Sequence, residues 1–141
     1  MILYLDTSSI VKLYVEEVWS AEVRRTVEAV QVVATSRIAY VEARAAFAGK
    51  LREHGLTIKE YRRIIQDLDQ DWGSYFIVDV SDTLVKLAGL FAEKHALRGF
   101  DAIHLASGVV LRKQAGRAVT FYCFDDRLTL AARNEGLKVT K

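Results

Sequence analysis

A short apolar run, residues 1–5, ends at Asp6; Thr7, Ser8 and Ser9 follow, and then Ile10, Val11, Leu13, Tyr14 and Val15 at helical spacing. That order predicts a buried strand, an acidic tip and an amphipathic helix. Residues 18–30 alternate apolar and charged positions with a helical period, Arg24 and Arg25 lying on the polar side. Residues 31–35 predict a second short strand. Ser36 is placed to cap a long helix over 37–54, stopped by Gly55. Thr57 and Glu60 have the spacing of a capping box for a helix over 58–71. Residues 76–80 read as a third strand, and Ser81 or Asp82 as the cap of a helix reaching His95. Gly99 breaks the pattern, and another helix is expected from Asp101 to Lys113. Residues 118–124 form a fourth strand running into Asp125 and Asp126; a last helix reaches Asn134, and 137–140 suit a short fifth strand.

Strands separated by helices, with no two-residue hairpin turns, imply right-handed crossovers. The expected fold is therefore α/β: a three-layer α/β/α sandwich around a mainly parallel sheet of four or five strands, with residues 1–141 as one domain. There is no internal repeat, linker or low-complexity segment.

Composition narrows the class. Of 141 residues, 51% are hydrophobic and 27% charged, the balance of a globular protein. The chain has no proline, which favours long uninterrupted helices over a loop-rich all-β fold. One cysteine and three scattered histidines exclude a disulfide framework and a zinc cage. There is no basic leader and no long apolar stretch, so neither secretion nor a membrane span is expected, and the location expected is cytoplasmic. The net charge of +2 conceals an asymmetry. Removing four internal acids, identified below, from the 18 leaves 14 against 20 bases. A basic exterior around one acidic cleft suits a polyanion brought to a metal, although surplus bases also serve solubility.

The four acids are Asp6, Glu42, Asp101 and Asp125. Asp6 stands beyond a strand's carboxyl end, where α/β proteins gather their chemistry; it also suits a helix cap. Glu42 has Ile38, Ala39, Ala45 and Ala46 at the offsets that share its helical face, so it interrupts the stripe expected to dock on the sheet. A buried carboxylate costs several kcal/mol unless paired. Arg37 and Arg44 point to other faces, which leaves a metal or a catalytic site as the better partner. Asp101 opens a helix in otherwise core-like surroundings, although the helix dipole alone would favour an acid there. His104, one turn on, reads as a satisfied structural histidine. Asp125 ends its strand as Asp6 ends the first, and parallel strands share a carboxyl edge. Asp126 is the expected helix cap, leaving Asp125 free for the site, but either of the pair suits it. Two carboxylates about 5 Å apart repel by roughly 3 kcal/mol at an effective dielectric near 20. A divalent cation removes that repulsion, and all-oxygen ligation selects Mg²⁺ or Mn²⁺ over zinc. Such sites hydrolyse phosphodiesters.

With these residues assembled, the chain resembles the PIN-domain family, most closely the VapC-type toxins of prokaryotic toxin–antitoxin modules. Asp6-Thr7-Ser8 resembles the N-terminal acid motif, Glu42 in TSRIAYVEARAAF the acid on the third helix, Asp101 in GFDAIHLA the Asp-Ala-(Ile/Leu)-His-Leu-Ala signature, and Asp125 in FDDRLTLAARNEGL the variable fourth acid. Cys123 departs from the Thr or Ser usual two residues before that acid. The resemblance implies a Mg²⁺-dependent (or Mn²⁺-dependent) endoribonuclease acting on structured RNA, as a homodimer restrained by a cognate VapB-type antitoxin. It makes Asp6 and Asp101 the principal metal ligands. Glu42 and Asp125 complete the cluster and position water, with Ser8 and Asp126 supporting the ligands from behind. Arg37, Arg44, Lys50, Arg52, Lys59, Arg62 and Arg63 would grip RNA phosphates, or else be solvated helix faces. Competing readings are a PIN nuclease for RNA processing or DNA flaps, a phosphatase using Asp6 as nucleophile, and a non-catalytic binding module.

Overall fold

The computed structural model describes residues 1–140. Five strands form one sheet: β1 (Ile2–Leu5), β2 (Val32–Ser36), β3 (Phe76–Val78), β4 (Val119–Tyr122) and β5 (Lys138–Val139). Their spatial order is β3-β2-β1-β4-β5, and every pairing is parallel. The helices between them are α1 (Thr7–Tyr14), α2 (Ser20–Glu28), α3 (Ala39–Arg52), α4 (Ile58–Trp72), α5 (Asp82–His95), α6 (Gly99–Ala115) and α7 (Asp126–Asn134).

The two faces of the sheet can be read off β1. Its residues alternate between two cores, as side chains on a pleated strand must. Leu3 and Leu5 pack with Ile10, Val11, Val23, Ala43, Phe47, Ile64 and Leu68, which come from α1 to α4. Ile2 and Tyr4 pack with Leu84, Phe91, Leu105, Val109, Phe121 and Leu128, mainly from α5 to α7. Both faces are thus covered, and β1 is buried along its whole length. On the second face α6 lies so close to β4 that a Cβ placed on Gly108 would stand 2.9 Å from Phe121 Cδ2.

The capping box of Thr57 and Glu60 is present as expected, and Ser81 caps α5. Both ends of α3 and the start of α6 differ from expectation. Ser36 ends β2 instead of capping the next helix; α3 begins at Ala39 after Ile38, and Ser36 Oγ only accepts the Ile38 N–H at 3.3 Å. That helix ends at Arg52, and His54, not Gly55, takes the left-handed conformation, φ 62°. Gly99 starts α6 where a break was expected; the chain reverses earlier, at Ala96, φ 54°. In each case local glycine or serine chemistry yields to the tertiary path of the chain.

Hydroxyls stitch the carboxyl edge of the sheet. Thr35 Oγ1 donates to the Leu5 carbonyl at 2.7 Å, Ser9 Oγ donates to the Tyr122 carbonyl at 2.8 Å, and the Asp6 N–H donates to the same carbonyl at 3.2 Å. These buried groups satisfy the last carbonyls of β1 and β4 and fix the position from which Asp6 projects.

Candidate active site

Strand order reverses at β1, whose neighbours are β2 on one side and β4 on the other. The crevice beyond the carboxyl ends at such a point is where α/β proteins bind ligands. Asp6 lies there, 5% exposed. It both caps α1 and sits in the crevice: its Oδ1 accepts the Ser9 N–H at 3.0 Å and the Ser8 hydroxyl at 2.7 Å. Burial pushes its carboxyl above the ordinary range, with His104, Ser8 and Ser9 pulling the other way.

Glu42 occupies the first turn of α3 beside the buried docking face of Ala39, Ala43 and Phe47. Its Oε1 accepts from Thr7 Oγ1 at 2.5 Å and lies 2.9 Å from His104 Nε2. His104 itself is fully enclosed. Tyr4 Oη meets its Nδ1 at 2.7 Å, and Thr7 Oγ1 lies 3.0 Å from its Nε2. Burial holds the Tyr4 hydroxyl in its protonated form beside Nδ1, and Nε2 faces Glu42. His104 is therefore the satisfied histidine expected, and it positions an acid of the site. Burial pulls the Glu42 carboxyl upward, but the bonds from His104 and Thr7 outweigh it and hold it below its ordinary value.

Asp101 follows Gly99 and Phe100 in the first turn of α6 and is half-buried. Burial raises its carboxyl; Arg98, 3.7 Å away, lowers it; Asp125 and then Glu42 raise it again through their charge. The acids of α3, α6 and the β4–α7 turn thus share one electrostatic neighbourhood. Glu42 and Asp101 also line one hollow of about 500 Å³ with Arg98, Gly99 and Phe100.

Asp125, not Asp126, caps α7: its Oδ1 accepts the Leu128 N–H at 2.9 Å. The expectation that Asp126 caps, leaving Asp125 without a local duty, is corrected. The chain turns into the helix one residue earlier than supposed, and Asp126 becomes its first residue, lining a separate hollow with Cys123, Thr129 and Arg133. Cys123 is buried, with Sγ 3.7 Å from the Asp125 carbonyl and 3.1 Å from Thr129 Oγ1. Burial first, then the charge of Asp6, pushes its thiol up to about 12.

The donors are all oxygen; burial raises the carboxyls of Asp6 and Asp101, and the charges of Asp125 and Glu42 raise Asp101 further, a state that a hard cation would relieve. Among the described residues no three Asp, Glu, His or Cys side chains close around a point. The causes are visible: Glu42 is tied to Thr7 and His104, and Asp101 leans to Arg98. A closed cage is not required of Mg²⁺, which keeps several waters and binds through one or two carboxylates. The residues present fit such an ion.

The basic residues have varied surroundings. Arg37 pairs with Asp79 at 2.7 Å, Lys50 with Glu17 at 2.7 Å, and Arg63 with Asp67 at 3.6 Å. Arg44 donates to Tyr40 Oη at 2.8 Å. Among the described residues Arg52 and Arg62 have no ion pair. The groove beside Thr7 and Ser8 is lined by Lys50, Glu17 and Glu53 and also by Lys12, which sequence reading passed over because it lies within an apolar helix. Thr7 and Tyr4 were passed over as site residues too. The run of three hydroxyls after Asp6 was the available signal for Thr7; Tyr4 had none, being one apolar strand residue among five.

Among the described residues no helix is long and apolar enough to cross a membrane. The chain is 35% identical over 138 residues to "Ribonuclease VapC45" of Mycobacterium tuberculosis (strain CDC 1551 / Oshkosh), covering 98% of this chain and 94% of that one. Its fold is similar to the crystal structure of VapC20 from Mycobacterium tuberculosis, a sarcin-ricin loop cleaving toxin. The TM-score is 0.66 at 18% identity, over 92% of this chain and 94% of the other. It is likewise similar to VapBC2 from Rickettsia felis, solved bound to a DNA fragment from their promoter. There the TM-score is 0.65 at 15% identity, over 99% and 97% of the two chains. The family model for the PIN domain matches residues 3–133, from β1 into α7, and the chain belongs to the PIN-domain family.

Proposed function

We propose that the protein is a metal-dependent endoribonuclease, the toxin of a toxin–antitoxin pair, working as a homodimer and neutralised by a cognate VapB-type antitoxin. The observation that supports the reading is that Glu42, bonded to Thr7 and His104, lines one hollow with Asp101 near the carboxyl edge of a parallel sheet from which Asp6 projects, with Asp125 close enough to perturb Asp101. The relative's name, ribonuclease, and the toxin–antitoxin complexes among its structural neighbours support it.

Asp6 and Asp101 would hold Mg²⁺ or Mn²⁺. When bound, the ion lowers the pKa of a water and steadies charge on the phosphate and the leaving oxygen. The protein's part is to fix the oxygens. Ser8 holds the Asp6 carboxylate, with its hydroxyl 2.7 Å from one oxygen and 3.0 Å from the other. Thr7 and His104 hold Glu42 ionised and facing the hollow, so that it can orient the attacking water and accept its proton. Asp125, anchored by the Leu128 N–H, adds negative charge that tightens the demand for a cation. No side chain forms a covalent intermediate.

The test is cleavage of total RNA by the purified protein with Mg²⁺, with Mn²⁺ and with EDTA, beside Asp101→Asn. Metal-dependent cleavage by the parent and none by a folded Asp101→Asn is expected. Equal cleavage by both, or by the parent in EDTA, would overturn the assignment.

A further inference from the structure

Phe100 lies between Gly99 and Asp101 in the first turn of α6, and it is 55% exposed. A single exposed apolar side chain is ordinary; its surroundings are not. Among the described residues lining the hollow that holds Glu42 and Asp101, Phe100 brings the only large apolar side chain, and Arg98 lines the same hollow. The core does not call for it. Leu105, Ala106, Val109 and Ala102 already dock α6 on the sheet, and the ring stands apart from them in solvent.

We propose that Phe100 is a stacking platform for one unpaired base of the RNA, next to the phosphate that is cut. The inference rests on the endoribonuclease reading and adds to it how the strand is held. An aromatic face can receive any base, and stacking of this kind is the common way single strands are held without sequence preference. A base inside a duplex has both faces covered, so the nucleotide that reaches Phe100 must be unstacked. The charges around the ring favour this occupant over a protein surface. The core of a protein interface is depleted of charge, whereas here two carboxylates and a guanidinium share the wall. A nucleotide, an aromatic disc joined to an anion, matches a hollow that offers both a ring and the cation of Arg98, whose side chain is 87% exposed.

The experiment uses a short single-stranded oligoribonucleotide carrying 2-aminopurine, whose fluorescence falls on stacking, with Ca²⁺ in place of Mg²⁺. Parent protein, Phe100→Ala and Phe100→Trp are titrated after their melting curves are matched. Quenching by the parent, binding about 5- to 150-fold weaker with Phe100→Ala, and recovery with Phe100→Trp are expected. With Mg²⁺, cleavage of intact RNA falls in parallel, while an oligonucleotide abasic at the contacted position is cut equally by parent and Phe100→Ala. If the parent binds and cuts RNA and Phe100→Ala matches it in both, the stacking role is refuted and the nuclease reading stands. If Phe100→Ala keeps RNA cleavage but loses association with a second protein chain, the ring is an interface residue and the proposal falls. If the parent neither binds nor cuts RNA, both readings fall.

Discussion

Replacing Thr7 with Val removes one hydroxyl and little volume, and that hydroxyl is the closest donor to Glu42, at 2.5 Å. It also lies 3.0 Å from His104 Nε2, so one substitution loosens the acid and the imidazole that faces it. A hydrogen bond to a charged group contributes about 1.5–3 kcal/mol. If that stabilisation is spent on holding Glu42 toward the reacting water, its loss lowers kcat about 10- to 150-fold. The pH dependence follows in sign. Burial raises the Glu42 carboxyl and its donors more than reverse this, so with one donor gone its pKa rises. The acid limb of the rate profile then moves to higher pH, and the deficit is largest in acid. Stability behaves consistently. A carboxyl held low in the folded state contributes stability that is present above its unfolded value and is lost as pH falls through the folded one; Thr7→Val shrinks that contribution. The assay is kcat and kcat/KM across the acid and neutral range for parent, Thr7→Val and Thr7→Ser, the last keeping the hydroxyl. A Thr7→Val protein with the parent's rate and profile would refute the argument that Glu42 is held by this bond for catalysis.

Asp6 and Asp101 have the opposite linkage: their raised carboxyls contribute stability that is present below the unfolded value and is lost as pH rises through the folded one. In EDTA at neutral pH, Asp6→Asn therefore melts at or above the parent's temperature, and a clearly lower melting point would contradict the burial argument. Mg²⁺ or Mn²⁺ at a hundredfold excess over Kd should stabilise the parent by about 2.7 kcal/mol. That is a rise of roughly 8 °C in Tm, absent from an Asp6→Asn, Asp101→Asn double variant. Gly108→Ala forces a Cβ against Phe121 Cδ2 at 2.9 Å and Leu137 Cδ1 at 3.1 Å, and overpacking of this kind costs about 1–3 kcal/mol by denaturant melts. Cys123, its thiol pushed up to about 12, should resist a thiol-specific reagent at mildly alkaline pH until the protein is unfolded; fast labelling of the native state would show that the β4 end opens.

Much was legible because it is local. The apolar run into Asp6, the capping box at Thr57 and Glu60, and the alternation of strands with helical segments specify elements by nearest-neighbour chemistry, and those elements admit few topologies. Glu42 was legible for a related reason: a charge beside a docking face is a local contradiction that only a distant partner resolves. What the sequence could not contain is which distant groups meet. Tyr4 and His104 are 100 positions apart and Thr7 and Glu42 35 apart, yet each pair is joined by a hydrogen bond that exists only once β1 is seated between β2 and β4. Which of Asp125 and Asp126 caps α7 turned on a single residue in where that helix begins. Composition and periodicity thus determined the layers and the edge on which the acids lie. The docking of helices across that edge decided which carboxylates are held ionised, which are raised, and by what.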